Sequence, residues 1–453
     1  MDENIFSNQT IAEFFDPNQS LQQKIQKKRA GAYEKDIIVK FGVDPTRPDI
    51  HLGHAVVFRF LRKLQDFGCK IVFLVGDFTA RIGDPTGKSK VRPEIEQQEI
   101  ERNMKTYLDQ VGKILNTDPR VFSWIRNSDW FVGISDIVYD QNTSIDLPKP
   151  LNGSVLANSF IGKAVAYENS RMQKTHLQKE GVVGITLSTF LWTLKTITHQ
   201  QLIVRDMFQD RIKSGQELYM HEMLYPVLQG IDSFVLAQIY GSCDLEIGGS
   251  DQTFNMLMGR EVMKANKLEP QSVIACKLLR GLDGKEKMSK SLDNFVAINE
   301  APSEIFGKLM SIPDELMGEY LDLATDFSME QKNKLLSDSN PKNTKIQLAK
   351  EVVKIYCGDS AAESAAAAFE SVFSQGEFPD DALTIMAGPE EKMGDLLVAS
   401  GIIESKSEFR RLLEAGAISD YPDKKINDPH ELMGNNERKI RIGKKNFVVI
   451  KPK

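Results

Sequence analysis

The feature that most constrains the fold is a repeated succession of a short apolar run, a glycine-containing loop and a helical pattern. Ile37 to Phe41, apolar but for one lysine, leads into the loop GVDPTRPDI, after which Val56, Val57, Phe60, Leu61 and Leu64 recur at three- and four-residue spacing until Gly68 offers a stop. Ile71 to Val75 runs into the loop GDFTARIGDPTGKS, Phe234 to Tyr240 reads as a strand ending in EIGGSDQ and a helix, and Val273 to Leu279 as one ending in GLDGKEKMSKS. Strands that keep giving way to loops and helices predict an α/β fold with a parallel sheet, whose ligands bind at the carboxyl ends of the strands.

The 453 residues exceed one ordinary core and predict two or three domains. Ala301 to Gln375 is helical and charged, GEFPDDALTIMAGPEEK has the composition of a linker, and Met393 to Lys453 reads as a compact module of two short helices, LLVASGI and SEFRRLLEAGA, followed by short strands. Tyr139 to Gly184 is polar and weakly periodic, and periodicity assigns it no element. No run approaches the roughly 18 to 20 apolar residues of a membrane span, and no cleavable leader pattern is present, so the expected compartment is the cytoplasm. Cys69, Cys243, Cys276 and Cys357 lack the paired spacing of a zinc or redox site, and read as small core hydrophobes. A formal net charge of -6 argues against whole-surface attraction to nucleic acid, so any RNA contact is expected to be local.

Two short motifs carry the chemistry. His51-Leu52-Gly53-His54 falls at a helix start, where unpaired N–H groups and the dipole favour an anion. The imidazoles there could grip phosphate oxygens, with Gly53 admitting a nucleotide close to the backbone, or they could be a cap and a surface residue. No carboxylate or cysteine stands beside them at ligand spacing, which leaves no metal site. Lys287-Met288-Ser289-Lys290-Ser291 follows a Gly- and Asp-containing turn. Its lysines could close over a triphosphate as pyrophosphate leaves, or form a solvated basic turn.

Together on an α/β scaffold, HLGH and KMSKS resemble the signature motifs of class I aminoacyl-tRNA synthetases. Gly42-Val43-Asp44-Pro45-Thr46, Gly83-Asp84-Pro85-Thr86-Gly87-Lys88, Tyr225-Pro226-Val227-Leu228-Gln229-Gly230-Ile231-Asp232 and Gly248-Gly249-Ser250-Asp251-Gln252 resemble, in order, motifs of the bacterial tyrosyl-tRNA synthetase family. The end module resembles the S4 RNA-binding domain. The resemblance implies a Rossmann-like catalytic domain over 1–298 with an insertion around 139–215, an α-helical anticodon-side domain over 299–375, a linker over 376–392 and a small α+β S4-like domain over 393–453. It implies activation of L-tyrosine with ATP, accompanied by Mg²⁺, transfer to tRNA(Tyr), and a homodimer that does not involve a membrane. The rivals are a tryptophan–tRNA ligase, and an RNA-binding or splicing accessory protein built on a synthetase.

Residue by residue, the resemblance implies that Asp84, Tyr225 and Gln229 hold the tyrosine α-amino group and that Asp232 reads the phenol. Gly42, Asp44 and Gln252 join the tyrosine site, and Gly249, Asp251 and Gln252 lie near the reacting carboxylate and ribose. Thr46, His51, His54, Lys287 and Lys290 form the catalytic set, and Gly53 and Ser289 join the ATP site. Asp44 and Thr46 could instead cap the next turn, and Tyr225 could be core. Where many members place a second tyrosine against the phenol, this chain has Lys40, which either alters phenol recognition or points elsewhere as a salt-bridged pocket wall. From Arg438 to Lys453 seven Lys and Arg occur without an acidic residue, and with Arg410, Arg411, Lys444 and Lys445 they are the expected RNA contacts.

Overall fold

The structure is a computed structural model and describes residues 5–85, 97–131, 185, 187–374, 378, 382–422, 424–443 and 446–453. Thr86, Gly87, Lys88, the Tyr139 to Gly184 segment, Lys444 and Lys445 lie outside the described residues. The chain forms two compact units, one of Met1–Glu300 with Ser311–Leu348 and one of Ala301–Met310 with Ala349–Lys453. Among the described residues no helix is long and apolar enough to cross a membrane.

The first unit is built on a six-stranded sheet of β1 (Ile11–Phe15), β2 (Ile37–Val43), β3 (Cys69–Val75), β4 (Phe122–Arg126), β5 (Leu245–Gly249) and β6 (Ser272–Cys276), ordered β1-β6-β5-β2-β3-β4. β2 to β6 run parallel and β1 pairs antiparallel with β6 at the edge. The sheet is covered on both faces, which is why its central strands are apolar runs rather than alternating ones. Ile38, Val72, Leu74 and Ile125 pack with Val227, Ile231, Val235, Met258 and Val262 of the helices Met220–Tyr240 and Thr253–Ala265. On the other face Phe41 and Phe73 meet Phe58 of the helix Leu52–Asp66, with ring centroids 5.1 to 6.2 Å apart. The period-two alternation of β2 puts Lys40 on the same face as Ile38.

One expected strand is wrong. Phe234 to Tyr240 is the last third of the helix Met220–Tyr240, and the strand is Leu245–Gly249. That helix is buried on most sides, so FVLAQIY shows no amphipathic period and cannot be told from a buried strand. Gly241, at φ 84°, supplies the left-handed turn that ends it.

The segment after residue 300 is helical as expected, but it divides between the units. The helix Met317–Ala324 belongs with the first unit: Tyr320 OH donates to the Arg280 carbonyl at 2.7 Å, and Arg280 Nε donates to Glu319 at 2.7 Å. In the second unit the helix Pro302–Met310 packs on Asp359–Ser374, with Phe306 and Phe369 centroids 5.3 Å apart. Further on, β7 (Leu383–Ala387), β8 (Ile418–Asp420), β9 (Lys424–Lys425), β10 (Arg438–Ile442) and β11 (Asn446–Pro452) form a sheet ordered β7-β11-β10-β8-β9. The helices Met393–Ala399 and Lys406–Glu414 share its core through Leu397, Phe409 and Leu413. The expected linker thus contains an edge strand, since β7 pairs parallel with β11.

Candidate active site

The strand order reverses between β2 and β5, and such a switch point opens a crevice at the carboxyl ends of the strands. A cavity of about 1070 Å³ occupies it. The structure brings together around it every expected tyrosine, ATP and catalytic residue: Lys40, Gly42, Asp44 and Thr46 from β2 and its loop, with His51, Gly53 and His54; Asp84 beyond β3; Tyr225, Gln229 and Asp232; Gly249, Asp251 and Gln252 beyond β5; and Lys287, Ser289 and Lys290. Arg410 and Arg411 are exposed on the helix Lys406–Glu414 of the second unit and are not part of this site.

Asp232 is buried, accepting from Trp130 Nε1 at 3.0 Å and from Asn127 Nδ2 at 3.4 Å. Burial pushes its carboxyl up from 3.8 to about 7, against the opposing pull of Lys40 and of those two donors. Tyr225 OH donates to Asp44 Oδ2 at 2.8 Å, and Thr79 Oγ1 donates to Asp44 Oδ1 at 2.8 Å. Tyr225's one hydroxyl proton is thereby spent, so toward a ligand its oxygen can only accept. The backbone must approach Asp44 closely here: a Cβ at Gly76 would overlap Asp44 Oδ1 and Thr79 Oγ1. Asp84 accepts from Gln252 Nε2 at 2.7 Å, and Gln252 in turn accepts from Asn255 Nδ2 at 2.9 Å. Three groups with acceptor capacity, Asp84, Tyr225 and Gln229, therefore line a cavity suited to an ammonium.

Lys40 is buried and ion-paired. Its ammonium meets Glu246 Oε1 at 2.8 Å, and both side chains are wholly enclosed, at 0% and 1% exposure. It forms a salt-bridged part of the cavity wall.

The two signature motifs meet because the chain after KMSKS runs back along HLGH. Leu52 N–H donates to Val296 O at 3.0 Å and Ile298 N–H to Ile50 O at 3.0 Å. Met288 is buried, and a Cβ at Gly53 would lie 3.5 Å from its Cβ. His51 caps the helix Leu52–Asp66 and its ring stacks on His54 at 3.8 Å. His54 Nδ1 accepts from the His51 N–H at 3.4 Å, which leaves the His54 proton on Nε2. Burial first, then the nearby Lys290 and Lys287, pulls His51 down to about 3; burial first, then His51 and the same lysines, pulls His54 well below its usual range. Both shifts favour the neutral form of the rings. Lys287 is ion-paired with Asp251. Lys290 Nζ donates to the Arg47 carbonyl at 3.1 Å and to Tyr107 OH at 3.3 Å, and burial lowers it to about 8.

Several residues that sequence reasoning missed hold this geometry. Asn103 Nδ2 donates to Pro45 O at 3.0 Å, while Gln110 donates to Pro48 O at 2.9 Å and accepts from Ile50 N–H at 2.7 Å, so the helix Gln97–Val111 props the loop after β2. Asn294 Oδ1 accepts from Ser289 N–H at 2.8 Å and its Nδ2 donates to Asp283 at 2.9 Å, stapling the lysine loop. Asn127 and Trp130 lie just past β4, and their position at the carboxyl end of an expected strand was the one signal that could have found them.

A family described as tRNA synthetases class I (W and Y) matches residues 32–141 and 152–374. The tyrosine–tRNA ligase of Francisella tularensis subsp. tularensis is 38% identical over 437 residues, covering 95% of this chain and 94% of that protein. That of Geobacter metallireducens is 36% identical over 438 residues, covering 95% and 94%. Among solved structures, a C-terminally truncated mitochondrial tyrosyl-tRNA synthetase of Aspergillus nidulans superposes with a TM-score of 0.55 at 19% identity, covering 80% of this chain and 92% of that one. The corresponding truncated enzyme of Coccidioides posadasii gives 0.54 at 20% identity, covering 79% and 88%. At those identities the superpositions show the fold, while the sequence relatives show the family: the chain belongs to the class I tRNA synthetases (W and Y), among the tyrosine–tRNA ligases.

Proposed function

We propose that this chain activates L-tyrosine with ATP and transfers the tyrosyl group to the 3′ end of tRNA(Tyr). The observation that carries the reading is one cavity lined by the buried carboxylate Asp232, by the acceptors Asp84, Tyr225 and Gln229, and by the neutral histidines and lysines of HLGH and KMSKS. In the first step the substrate carboxylate oxygen forms a bond to the α-phosphorus of ATP and the bond to the β-phosphate oxygen breaks, releasing pyrophosphate. The carboxylate is already ionised, so no protein base or nucleophile is needed and the gain comes from alignment and charge stabilisation. His51 and His54 donate N–H groups to phosphate oxygens, Thr46 adds a hydroxyl, and Lys287 and Lys290 neutralise the departing pyrophosphate. Gly53 and Gly249 let the nucleotide lie close to the backbone, and Asp251 and Gln252 face its ribose and the reacting carboxylate. Mg²⁺ enters as part of the ATP substrate, held by phosphates and water. In the second step a tRNA ribose hydroxyl attacks the adenylate carbonyl and AMP leaves.

Arg410 and Arg411, with Lys444 and Lys445, give the S4-like module its RNA contact, and the enzyme works in the cytoplasm as a homodimer. Exposed apolar side chains at Leu191, Trp192, Val204, Ile212 and Met220 support an interface between copies. The test is ATP–pyrophosphate exchange with tyrosine, tryptophan and phenylalanine in turn. Tyrosine alone should support rapid exchange; exchange with tryptophan instead would move the chain to the other branch of its family, and none with any of the three would remove the activity.

A further inference from the structure

Part of the cavity wall is a buried polar cluster in which Lys40, Ser233 and Glu246 have no role in the reaction above. The Lys40 ammonium reaches three acceptors, the Gln229 carbonyl oxygen, Ser233 Oγ and Glu246 Oε1, each at 2.8 Å. Lys40 and Glu246 are cross-strand partners on β2 and β5, where the strand order reverses. An ammonium has three donors, and all three are spent within the protein. Glu246 Oε1 also accepts from Gln229 Nε2 at 3.0 Å, while its Oε2 accepts from Ser233 Oγ at 3.2 Å and from Gln271 Nε2. The packing makes room for this cluster: a Cβ at Gly259 would stand 2.5 Å from Gln271 Nε2, 3.0 Å from Ser233 Oγ and 3.2 Å from Glu246 Oε2.

A buried ion pair is weak evidence of stabilisation. Removing two charges from water costs several kcal/mol per ion, and apolar residues of similar volume often serve as well or better. What the pair supplies is direction. A carboxylate only accepts, so Glu246 turns the Gln229 carboxamide with its NH₂ group inward and its Oε1 away, toward the cavity that Gln229 lines. An oxygen presented there attracts an ammonium, whereas the NH₂ end would repel it. Lys40 holds the Glu246 carboxylate and the Gln229 backbone carbonyl at once, fixing residue 229 at both ends.

We propose that Lys40 and Glu246 are positioning residues that set the Gln229 carboxamide as an acceptor for the α-ammonium of the amino-acid substrate, and so select for that group. The proposal rests on the tyrosine-activating reading above. Its test compares tyrosine with 3-(4-hydroxyphenyl)propionate, which keeps the phenol and carboxylate but lacks the amino group, by equilibrium dialysis against the wild-type chain and Glu246→Gln. The variant should bind tyrosine about 10-fold or more weakly, the scale of losing a hydrogen bond to a charged group. Its affinity for the deamino analogue should stay within about two-fold, and in exchange assays KM for tyrosine should rise with kcat little moved. If Glu246→Gln does not fold, the double variant Lys40→Met with Glu246→Gln, which leaves no unpaired charge, undergoes the same comparison with the same expectation. Equal weakening of both ligands would reduce the pair to scaffolding, and unchanged tyrosine affinity would overturn the orienting role. Wild-type protein without tyrosine-dependent exchange would sink the underlying reading on its own, before any variant is measured.

Discussion

Asp232→Asn offers a test in which stability and function must move in opposite directions. The folded state raises the Asp232 carboxyl from 3.8 to about 7, chiefly by burial. A group whose folded pKa is raised binds its proton more tightly when folded, so its contribution to stability is present below the unfolded value and is lost as pH rises through about 7. At 1.36 kcal/mol per unit, ionised Asp232 costs the ligand-free protein up to about 4 kcal/mol at pH 8. Asparagine keeps an oxygen for Trp130 Nε1 and cannot ionise, although its NH₂ faces Asn127 Nδ2, which offsets part of the gain. The variant should therefore be more stable than wild type at pH 8 and close to it at pH 4, the gap opening between those values. The assay is thermal or urea unfolding of both proteins, without tyrosine, across that pH range; taking the difference cancels the titration of all other groups. Tyrosine-dependent exchange should meanwhile fall sharply, since on the proposed reading Asp232 is the acceptor for the phenol O–H. A stability difference independent of pH, or a variant less stable at pH 8, would refute the argument that burial of an ionisable carboxyl sets this site.

Three further outcomes are expected. Asp232→Ala should weaken tyrosine activation far more than phenylalanine activation, read as kcat/KM in pyrophosphate exchange, because only tyrosine brings a hydroxyl for the carboxylate to pair with; equal losses on both amino acids would remove Asp232 from phenol recognition. Lys290→Ala should slow adenylate formation by about 100-fold or more, and because burial lowers the Lys290 ammonium to about 8, wild-type kcat/KM for ATP should decline as pH rises through that value while Lys290→Arg loses the decline. A chain ending after Ser374 should still form tyrosyl-adenylate but lose most tRNA charging and the salt dependence of tRNA binding, measured on both proteins across a salt series; full charging with an unchanged salt slope would show that the C-terminal module is not the tRNA anchor.

Much of the site was legible because it is written in local chemistry. Glycine- and proline-containing loops between a strand and a helix announce themselves by composition, and GVDPT, HLGH and KMSKS each carry their reactive groups within a few residues. What stayed hidden depends on register and on partners far away in the chain. Lys40 stood out in the sequence as a charge inside an apolar strand, yet only the pairing of β2 with β5 supplies Glu246 as the reason it can be buried there. Phe234 to Tyr240 misled because burial on most sides erases the period that separates helix from strand. β7 hid inside an apparent linker because its partner, β11, is the last strand of the chain, with Leu383 pairing to Val448.

The basic run near the end of the chain shows how a correct count can carry the wrong weight. Read as sequence, Arg438 to Lys453 is uniformly cationic, but strands deal alternate residues to opposite faces. Arg438 is drawn inward and ion-paired with Asp420 at 2.8 Å and Glu431 at 3.0 Å, Lys451 meets Glu437 at 3.8 Å, and Lys453 meets Glu391 at 3.0 Å. Lys439 and Arg441 alternate with the buried Ile440 and Ile442, and lie over the rings of Phe378 and Phe447 at 5.5 and 6.0 Å. Three of the seven positive charges are thus ion-paired with carboxylates of the same unit, and Arg438, held inward by two of them, is the least available to a phosphate. The salt dependence of RNA binding should accordingly be shallower than seven cations would give, because counterion release counts the phosphates neutralised rather than the lysines and arginines present.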